Sequence, residues 1–280
     1  MATKVSELLL GAFPDLRYEP TAKRVRAGLD GSPVVDTQRA LLVWEPKRVT
    51  PVYAVPEEDL LARLQPAAHN GHGGGRGADE FPIRIRQDTP PALDPRTGFR
   101  RHTTPGEELD VEAAGRIAPH AAFRPSDPDL DGHVILDFWA FDWLEDHEEI
   151  IGHPRDPFHR VDIRATLRRV EVTLDGVKLA DTVGAQLLYE TLLPVRYYIP
   201  PADVRLDLLE TSPHRTICPY KGEAKYWSFP DSTRGKNIAW AYDSRYMDAQ
   251  QIHGLVCFFN ERADIVVDGE PQGHPVTPWS

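Results

Sequence analysis

The stretch RVRAGLDGSPVVDTQRALLVWEPKRVTPVYAVPEED begins at Arg24, and a diverged copy, RVEVTLDGVKLADTVGAQLLYETLLPVRYYIPPADV, begins at Arg169. Aligned without a gap, 12 of the 36 positions are identical, whereas unrelated sequences of ordinary composition would share about two or three. Further on, WAFD at Trp139–Asp142 matches WAYD at Trp240–Asp243, and Asp162-Ile163 matches Asp264-Ile265. The sequence therefore predicts two related domains in tandem.

Each copy is predicted to be mainly β. Asp30-Gly31 and Asp175-Gly176 separate short apolar runs, and such pairs favour tight two-residue hairpin turns, because glycine accepts a positive φ. Proline recurs at the ends of the following runs, which suits short strands better than long helices. We expect small antiparallel sheets with one or two short helices in each domain. MDAQQIHG and LEDHEEIIG are the predicted helices, ending at Gly254 and Gly152.

The predicted domains are an N-terminal arm (1–17), a diverged first domain (18–164) and a second domain (165–280). The first domain carries insertions, including the glycine-rich stretch Ala67–Phe81. A chain of 280 residues gives each domain enough length to bury its own core. The sequence leaves the oligomeric state open.

Charge and composition exclude several classes of function. The net charge is −11 and the pI is about 5.5, which disfavours binding to a nucleic-acid backbone. The sequence contains no long apolar run and no basic amphipathic segment, so it does not predict membrane association. Two cysteines are too few for a disulfide framework, so we expect free thiols and a cytoplasmic protein. No cofactor is predicted.

The second copy alone contains CPYKG, Cys218–Gly222. Pro219 fixes φ and Gly222 permits positive φ, so the segment predicts a tight turn between two strands. A thiol close to an ammonium can have a depressed pKa and act as a nucleophile, which makes Cys218 and Lys221 the candidate catalytic residues. The alternative is a Cys218 packed into the core and a Lys221 that lies in solvent.

Candidate ligand-binding residues surround this motif. Arg196 has Pro51 as its counterpart in the first copy, and a guanidinium between aromatic side chains can hold a carboxylate or phosphate. Alternatively, Arg196 pairs with Glu190, which matches Glu45, and serves packing. An aromatic-lined pocket for a flat ligand is the further hypothesis; its predicted residues, together with Arg196 and Glu190, are Tyr198, Tyr220, Tyr226, Trp240 and Tyr242.

A metal site is one hypothesis for the histidines of the segment HPRDPFHR. His153, Asp156 and His159 recur at three-residue spacings in HPRDPFHR, but this pattern does not match typical zinc spacings. The sequence therefore predicts no metal site.

The second copy resembles the domain of unknown function 427 family. The resemblance rests on a hairpin around LDG, on Tyr198–Val204, on Cys218–Gly222 with its surroundings, and on Ala239–Tyr242. It implies a β-tent-like fold, in which two small antiparallel sheets meet at an angle, and some proteins of that fold bind flat molecules in an aromatic cage. In the first copy HTTPG is expected to replace CPYKG, with His102 in place of Cys218 and Gly106 matching Gly222.

Three functions follow as hypotheses. The first is binding of a small planar or anionic metabolite in the aromatic-lined pocket of the second domain, with or without a reaction on it. The second is a cysteine-dependent enzyme that uses Cys218 and Lys221. The third is a non-catalytic scaffold for protein interactions.

Overall fold

The computed structural model describes residues 2–67, 85, 91–243 and 246–277. Within them the chain is mainly β, as predicted, and its strands form four antiparallel sheets. The chain divides into two compact units. We call the described residues up to Asp156, other than Ile85, the first unit, and those from Pro157, together with Ile85, the second unit. Most of the glycine-rich insertion predicted at Ala67–Phe81 lies outside the described residues.

The first unit contains one seven-stranded and one four-stranded sheet. The strand orders are β1-β4-β5-β9-β8-β7-β6 and β11-β10-β2-β3. The strands are β1 (Arg17–Pro20), β2 (Val25–Leu29), β3 (Ser32–Thr37), β4 (Leu41–Trp44), β5 (Val52–Pro56), β6 (Arg63–Pro66), β7 (Gly106–Ala113), β8 (Arg116–Pro125), β9 (His133–Leu136), β10 (Asp142–Glu145) and β11 (Glu148–Glu149).

The second unit has the same pair of sheets. Their orders are β12-β15-β16-β20-β19-β18-β17 and β14-β13-β21-β22, so the order along the chain repeats that of the first unit strand for strand. The strands are β12 (Val161–Ala165), β13 (Val170–Leu174), β14 (Val177–Thr182), β15 (Gln186–Glu190), β16 (Arg196–Ile199), β17 (Glu210–Cys218), β18 (Gly222–Ser228), β19 (Ala239–Tyr242), β20 (Val256–Phe258), β21 (Asp264–Val267) and β22 (Glu270–Gln272).

Helices are few and short in the described residues. The α-helix α1 (Val5–Gly11) begins the first unit, and the other helices are 3₁₀ turns. These turns are Glu57–Asp59, Pro128–Leu130, Phe138–Ala140, Pro201–Asp203, Leu206–Leu208 and Met247–Ile252. The helix predicted in MDAQQIHG is thus a 3₁₀ helix. The one predicted in LEDHEEIIG is wrong, because Asp146 takes a positive φ of 50° and turns β10 back into β11.

The predicted hairpins at the two Asp-Gly pairs are confirmed. Asp30 and Gly31 have φ of 48° and 81°, and Asp175 and Gly176 have φ of 49° and 82°. Positive φ at both central residues matches the right-handed twist of the flanking strands. These turns join β2 to β3 and β13 to β14.

Strand registers correct the gapless alignment at one turn. Leu42 pairs with Tyr53 in the first unit, whereas Leu187, its counterpart, pairs with Tyr197 rather than Tyr198. The turn between these two strands is therefore one residue shorter in the second unit. By register the counterpart of Arg196 is Val52, and the predicted match with Pro51 is wrong.

Two other predicted matches are also wrong. WAYD begins inside β19 and ends just after it, whereas WAFD covers part of a 3₁₀ turn and the start of β10. Trp139 is accordingly 71% exposed and Trp240 is 5% exposed. Asp162-Ile163 lies in β12, which pairs with β15. The second unit therefore includes β12, most of which lies before the boundary predicted at 164/165.

The two faces of the seven-stranded sheet in the first unit have separate apolar clusters. One face carries side chains such as Leu42 and Val55, which cluster with Val25 and Trp143 of the four-stranded sheet. The opposite face carries a second cluster, which the unit closes with its own loop side chains; its members include Val43, Ala54, Phe123, Leu130, Ile135 and Phe99.

Candidate functional site

The registers of the second unit place most of the predicted site residues on one face of its seven-stranded sheet. Directly paired residues in antiparallel strands point to the same side, and the pairs are Leu188 with Arg196, Tyr198 with Cys257, and Tyr226 with Trp240. Alternation along β15 and β19 adds Glu190 and Tyr242. We call this side the Glu190 face; it carries Glu190, Arg196, Tyr198, Tyr226, Trp240 and Tyr242.

Glu190 forms a buried ion pair with Lys221. The Nζ atom of Lys221 lies 2.6 Å from Oε1 and 2.5 Å from Oε2 of Glu190, and both side chains are 7% exposed. Lys221 reaches the carboxylate from the turn between β17 and β18, where Cys218 pairs with Gly222 and Gly222 has φ of 96°. This is the tight turn that CPYKG predicts.

Both members of the pair are charged. Burial alone would raise the pKa of Glu190, but the charge of Lys221 and the hydrogen bond from His159 outweigh it and lower that pKa to about 2. Burial would likewise lower the pKa of Lys221, yet the ion pair with Glu190 holds it above its usual value. The carboxylate is therefore a strong acceptor, and the ammonium is not a general base at neutral pH.

His159 is the third member of this cluster. Its Nε2 lies 2.9 Å from Oε1 of Glu190, and its ring centroid lies 4.8 Å from that of Tyr220. The side chain is 23% exposed, more than those of Glu190 and Lys221. His159 thus occupies the solvent-facing edge of a buried charged pair.

Sequence reasoning considered His159 only as a metal ligand with His153 and Asp156. Among the described residues no group of three or more His, Cys, Asp or Glu side chains could hold a metal ion. The contact between His159 and Glu190 could have been predicted from the strand that follows His159, because Val161 in β12 pairs with Glu190.

Cys218 has the electrostatics of a neutral thiol. The residue is partly exposed, and burial of its sulfur together with the nearby carboxylate of Glu190 raises its pKa, although Lys221 opposes this shift. That direction is opposite to the one a thiolate nucleophile needs. Cys257 is buried and its burial raises its pKa to about 12.

Arg196 pairs with Glu261 and not with Glu190. Its Nη1 and Nη2 donate to the two carboxylate oxygens at 2.7 and 2.6 Å, and Nη1 also donates to Asn260. The guanidinium carbon lies 5.5 Å from the ring centroid of Trp240. These contacts bury the guanidinium in an internal ion pair, which corresponds to a packing role with a different partner from the one predicted.

The aromatic residues of the predicted pocket are for the most part buried. Tyr198 accepts a hydrogen bond from Trp240 at 3.2 Å, and Tyr226 shares one with Thr216 at 2.8 Å. Burial raises the pKa of Tyr198, Tyr226 and Tyr242, so these phenols are neutral. Tyr242 is the most exposed of the set, and its ring centroid lies 5.7 Å from the Lys221 ammonium.

The first unit has a glutamate at the equivalent place. Glu45 follows β4 as Glu190 ends β15, and it is 1% exposed. It accepts hydrogen bonds from the Thr103 backbone N–H at 2.7 Å and from His102 at 3.0 Å. Each unit thus buries a carboxylate at this corner of its large sheet.

Registers also correct the predicted match of HTTPG with CPYKG. Ala122 pairs with Leu109 in the first unit, and Ala239, its counterpart, pairs with Trp227. Counting back without a gap from Leu109 and from its counterpart Trp227 makes Thr103 equivalent to Lys221 and His102 equivalent to Tyr220. His102 therefore does not stand in place of Cys218, and Gly106 does not match Gly222.

Comparisons with known proteins give a family match within the second unit. No curated protein gives a significant match. No helix of the described residues is both long and apolar enough to cross a bilayer. Residues 162–269, which carry Glu190 and the CPYKG turn but not His159, match the family model described as domain of unknown function (DUF427).

Proposed function

We propose that the second unit binds a small planar or anionic metabolite at the Glu190 face, beside Lys221. The observation that carries this proposal is a buried ammonium and carboxylate pair next to tyrosines and beneath a partly exposed histidine. Burying a charged pair costs more free energy than burying apolar side chains of similar size. In a binding site such a pair supplies preorganised charged hydrogen-bonding groups.

The hydrogen-bonding capacity of Lys221 supports a ligand that carries a hydrogen-bond acceptor. Lys221 has three N–H donors, and within the described part of the chain Nζ bonds to the two oxygens of Glu190. One donor therefore remains for a carbonyl, carboxylate or phosphate oxygen. Tyr242 is a partly exposed residue whose ring lies beside the ammonium, and we assign this ring as the flat surface for the body of the ligand.

The first unit supports the assignment by contrast. The face that corresponds to the Glu190 face is filled there by Phe123, Ile135 and Leu130, and by Phe99 from a loop. Counterparts of Arg196 and Tyr198 are the small apolar residues Val52 and Ala54. We therefore assign binding to the second unit and a supporting role to the first.

We also infer that the two units descend from one ancestral unit. Support comes from the repeated strand order of both sheets and from the glutamate at the same corner. An experimental structure in which the two large sheets fail to superpose strand for strand would reject this origin.

A cysteine-dependent reaction is not favoured, since the pKa of Cys218 is raised. A cytoplasmic location remains a prediction from the free thiols Cys218 and Cys257. Fractionation of cells that express the natural protein would test it, and recovery outside the cytoplasm would reject it.

Binding can be tested by a thermal-shift screen of planar carboxylates, nucleosides and nucleotides on the full chain. A ligand at about 100 times its Kd stabilises the folded state by roughly 2.7 kcal/mol. Hits should disappear in the double variant Glu190→Gln/Lys221→Met, which removes both buried charges together. They should persist in Lys225→Met, which changes an exposed lysine of the same hairpin. Absence of any shift across the panel, or hits that survive the double variant, would reject the proposal.

A further inference from the structure

Each unit presents its buried glutamate to an imidazole of the same unit. In the first unit Nδ1 of His102 lies 3.0 Å from Oε1 of Glu45, and in the second Nε2 of His159 lies 2.9 Å from Oε1 of Glu190. An ionised carboxylate only accepts hydrogen bonds, so the ring nitrogen donates an N–H in both units. The recurring contact is a flat nitrogen heterocycle that donates to the glutamate.

The two histidines have unrelated positions in the fold. His102 precedes β7, whereas His159 precedes β12, and they use different ring nitrogens. Neither is the counterpart of the other by strand register. The same interaction is therefore formed from different segments, which indicates that the glutamate corner favours this kind of group whatever its source.

The two rings differ in how firmly they are held. His102 is stacked on Phe123 with ring centroids 3.6 Å apart and an interplanar angle of 8°, and Phe99 meets it edge-on at 4.9 Å. Its side chain is 8% exposed. His159 is 23% exposed and meets Tyr220 in a tilted contact. Only the second ring lies where a ligand from solvent could take its place.

We propose that Glu190 is the receptor for a ring N–H of a planar nitrogen heterocycle, and that His159 is an internal stand-in which the ligand displaces. This inference rests on the proposed function and narrows its ligand class. A ligand that donates a ring N–H to Glu190 replaces the hydrogen bond lost from His159. The neighbouring Lys221 keeps the carboxylate ionised, so that bond is charge-assisted.

If the ligand must displace His159, its apparent affinity is lowered. Because His159 competes for the same oxygen, the binding-competent state is only a fraction of the free protein, and the apparent affinity is reduced by that fraction. Removing His159 should remove the competition and tighten binding.

Calorimetry on the full chain with benzimidazole and 1-methylbenzimidazole tests this proposal, since the methylated ring has no N–H. Benzimidazole should bind His159→Ala at least tenfold more tightly than the wild type, and the methylated ring should show no comparable gain. His214→Ala, which removes an exposed histidine of the same unit, should leave the affinity unchanged. Binding should be lost in Glu190→Gln and in Glu190→Gln/Lys221→Met, each checked for native near-UV circular dichroism.

Equal affinity of His159→Ala and wild type for benzimidazole would overturn the inference, and so would an equal gain for the methylated ring. If planar acids shift the melting temperature of the wild type but benzimidazole does not bind His159→Ala, the ligand class fails while the proposed function stands. If neither binds, both fail.

Discussion

Glu45 and Glu190 occupy the same corner of the two seven-stranded sheets, and each is almost fully buried. Their donors are different. Glu45 receives a backbone N–H and an imidazole and has the Arg48 guanidinium 3.8 Å away, whereas Glu190 receives an ammonium and an imidazole. The glutamate is therefore the clearest equivalence between the two units. It also connects the repeated fold with the candidate site, because the carboxylate is kept while its partners change.

The Glu190–Lys221 pair should be strongly coupled. Replacing either residue alone, by Glu190→Gln or Lys221→Met, should destabilise the second unit by about 3–5 kcal/mol, because one buried charge loses its main partner. The double variant should cost clearly less than the sum. Urea denaturation of the three variants and the wild type measures the coupling, and additive effects would contradict a direct pair.

Acid should weaken the second unit through Glu190. Its pKa is lowered to about 2 in the folded state, from an ordinary value of 4.5, so the stabilisation is complete above about pH 4.5 and is lost as the pH falls toward 2. The difference in unfolding free energy between the wild type and Glu190→Gln/Lys221→Met should therefore shrink over that range. A difference that does not depend on pH would show that the carboxylate is not ionised in the folded protein.

The thiols should react as neutral groups. Burial raises the pKa of both Cys218 and Cys257, so iodoacetamide at pH 7.5 should modify the native protein more slowly than the urea-unfolded chain. Cys218 should react before Cys257, since it is partly exposed and Cys257 is buried. Peptide mass spectrometry over a time course gives both rates, and a Cys218 that outpaces the unfolded chain would revive the enzyme hypothesis.

Arg196 should behave as a structural residue. Arg196→Met leaves Glu261 buried without its main partner and should destabilise the second unit by about 3–5 kcal/mol. Arg205→Met breaks an exposed pair with Asp207 and should leave the stability almost unchanged. Equal effects of the two substitutions, measured by denaturation, would contradict the buried ion pair.

Local features of the fold could be predicted from the sequence. The Asp-Gly hairpins and the CPYKG turn depend on backbone preferences of neighbouring residues, and each forms as expected. The mainly β class follows from the same short-range signals. The residue-by-residue matches between the two copies were predicted less well. The turn before β16 is one residue shorter than its counterpart, so the gapless alignment pairs the wrong residues after that turn.

The site itself depends on contacts that sequence patterns do not reveal. Glu190 meets both His159 and Lys221, each 31 residues away along the chain, and Arg196 meets Glu261 65 residues away. Such partners are brought together only by the sheet registers. The motif around Lys221 was visible in the sequence. Glu190 was predicted as a ligand-binding residue or as a partner of Arg196, not as the partner of Lys221, and His159 was not predicted to be part of the site.

Among the strands of the described residues, β17 forms one edge of its sheet, and its ladder with β18 shifts between Ser212 and Arg215 around Pro213. Proline offers no N–H there, and the bulge twists the backbone away from a straight template. Another polypeptide therefore cannot extend the sheet along this margin by a regular ladder. Concentrated solutions of the protein should accordingly resist fibril growth from this border, even though it is a long open edge.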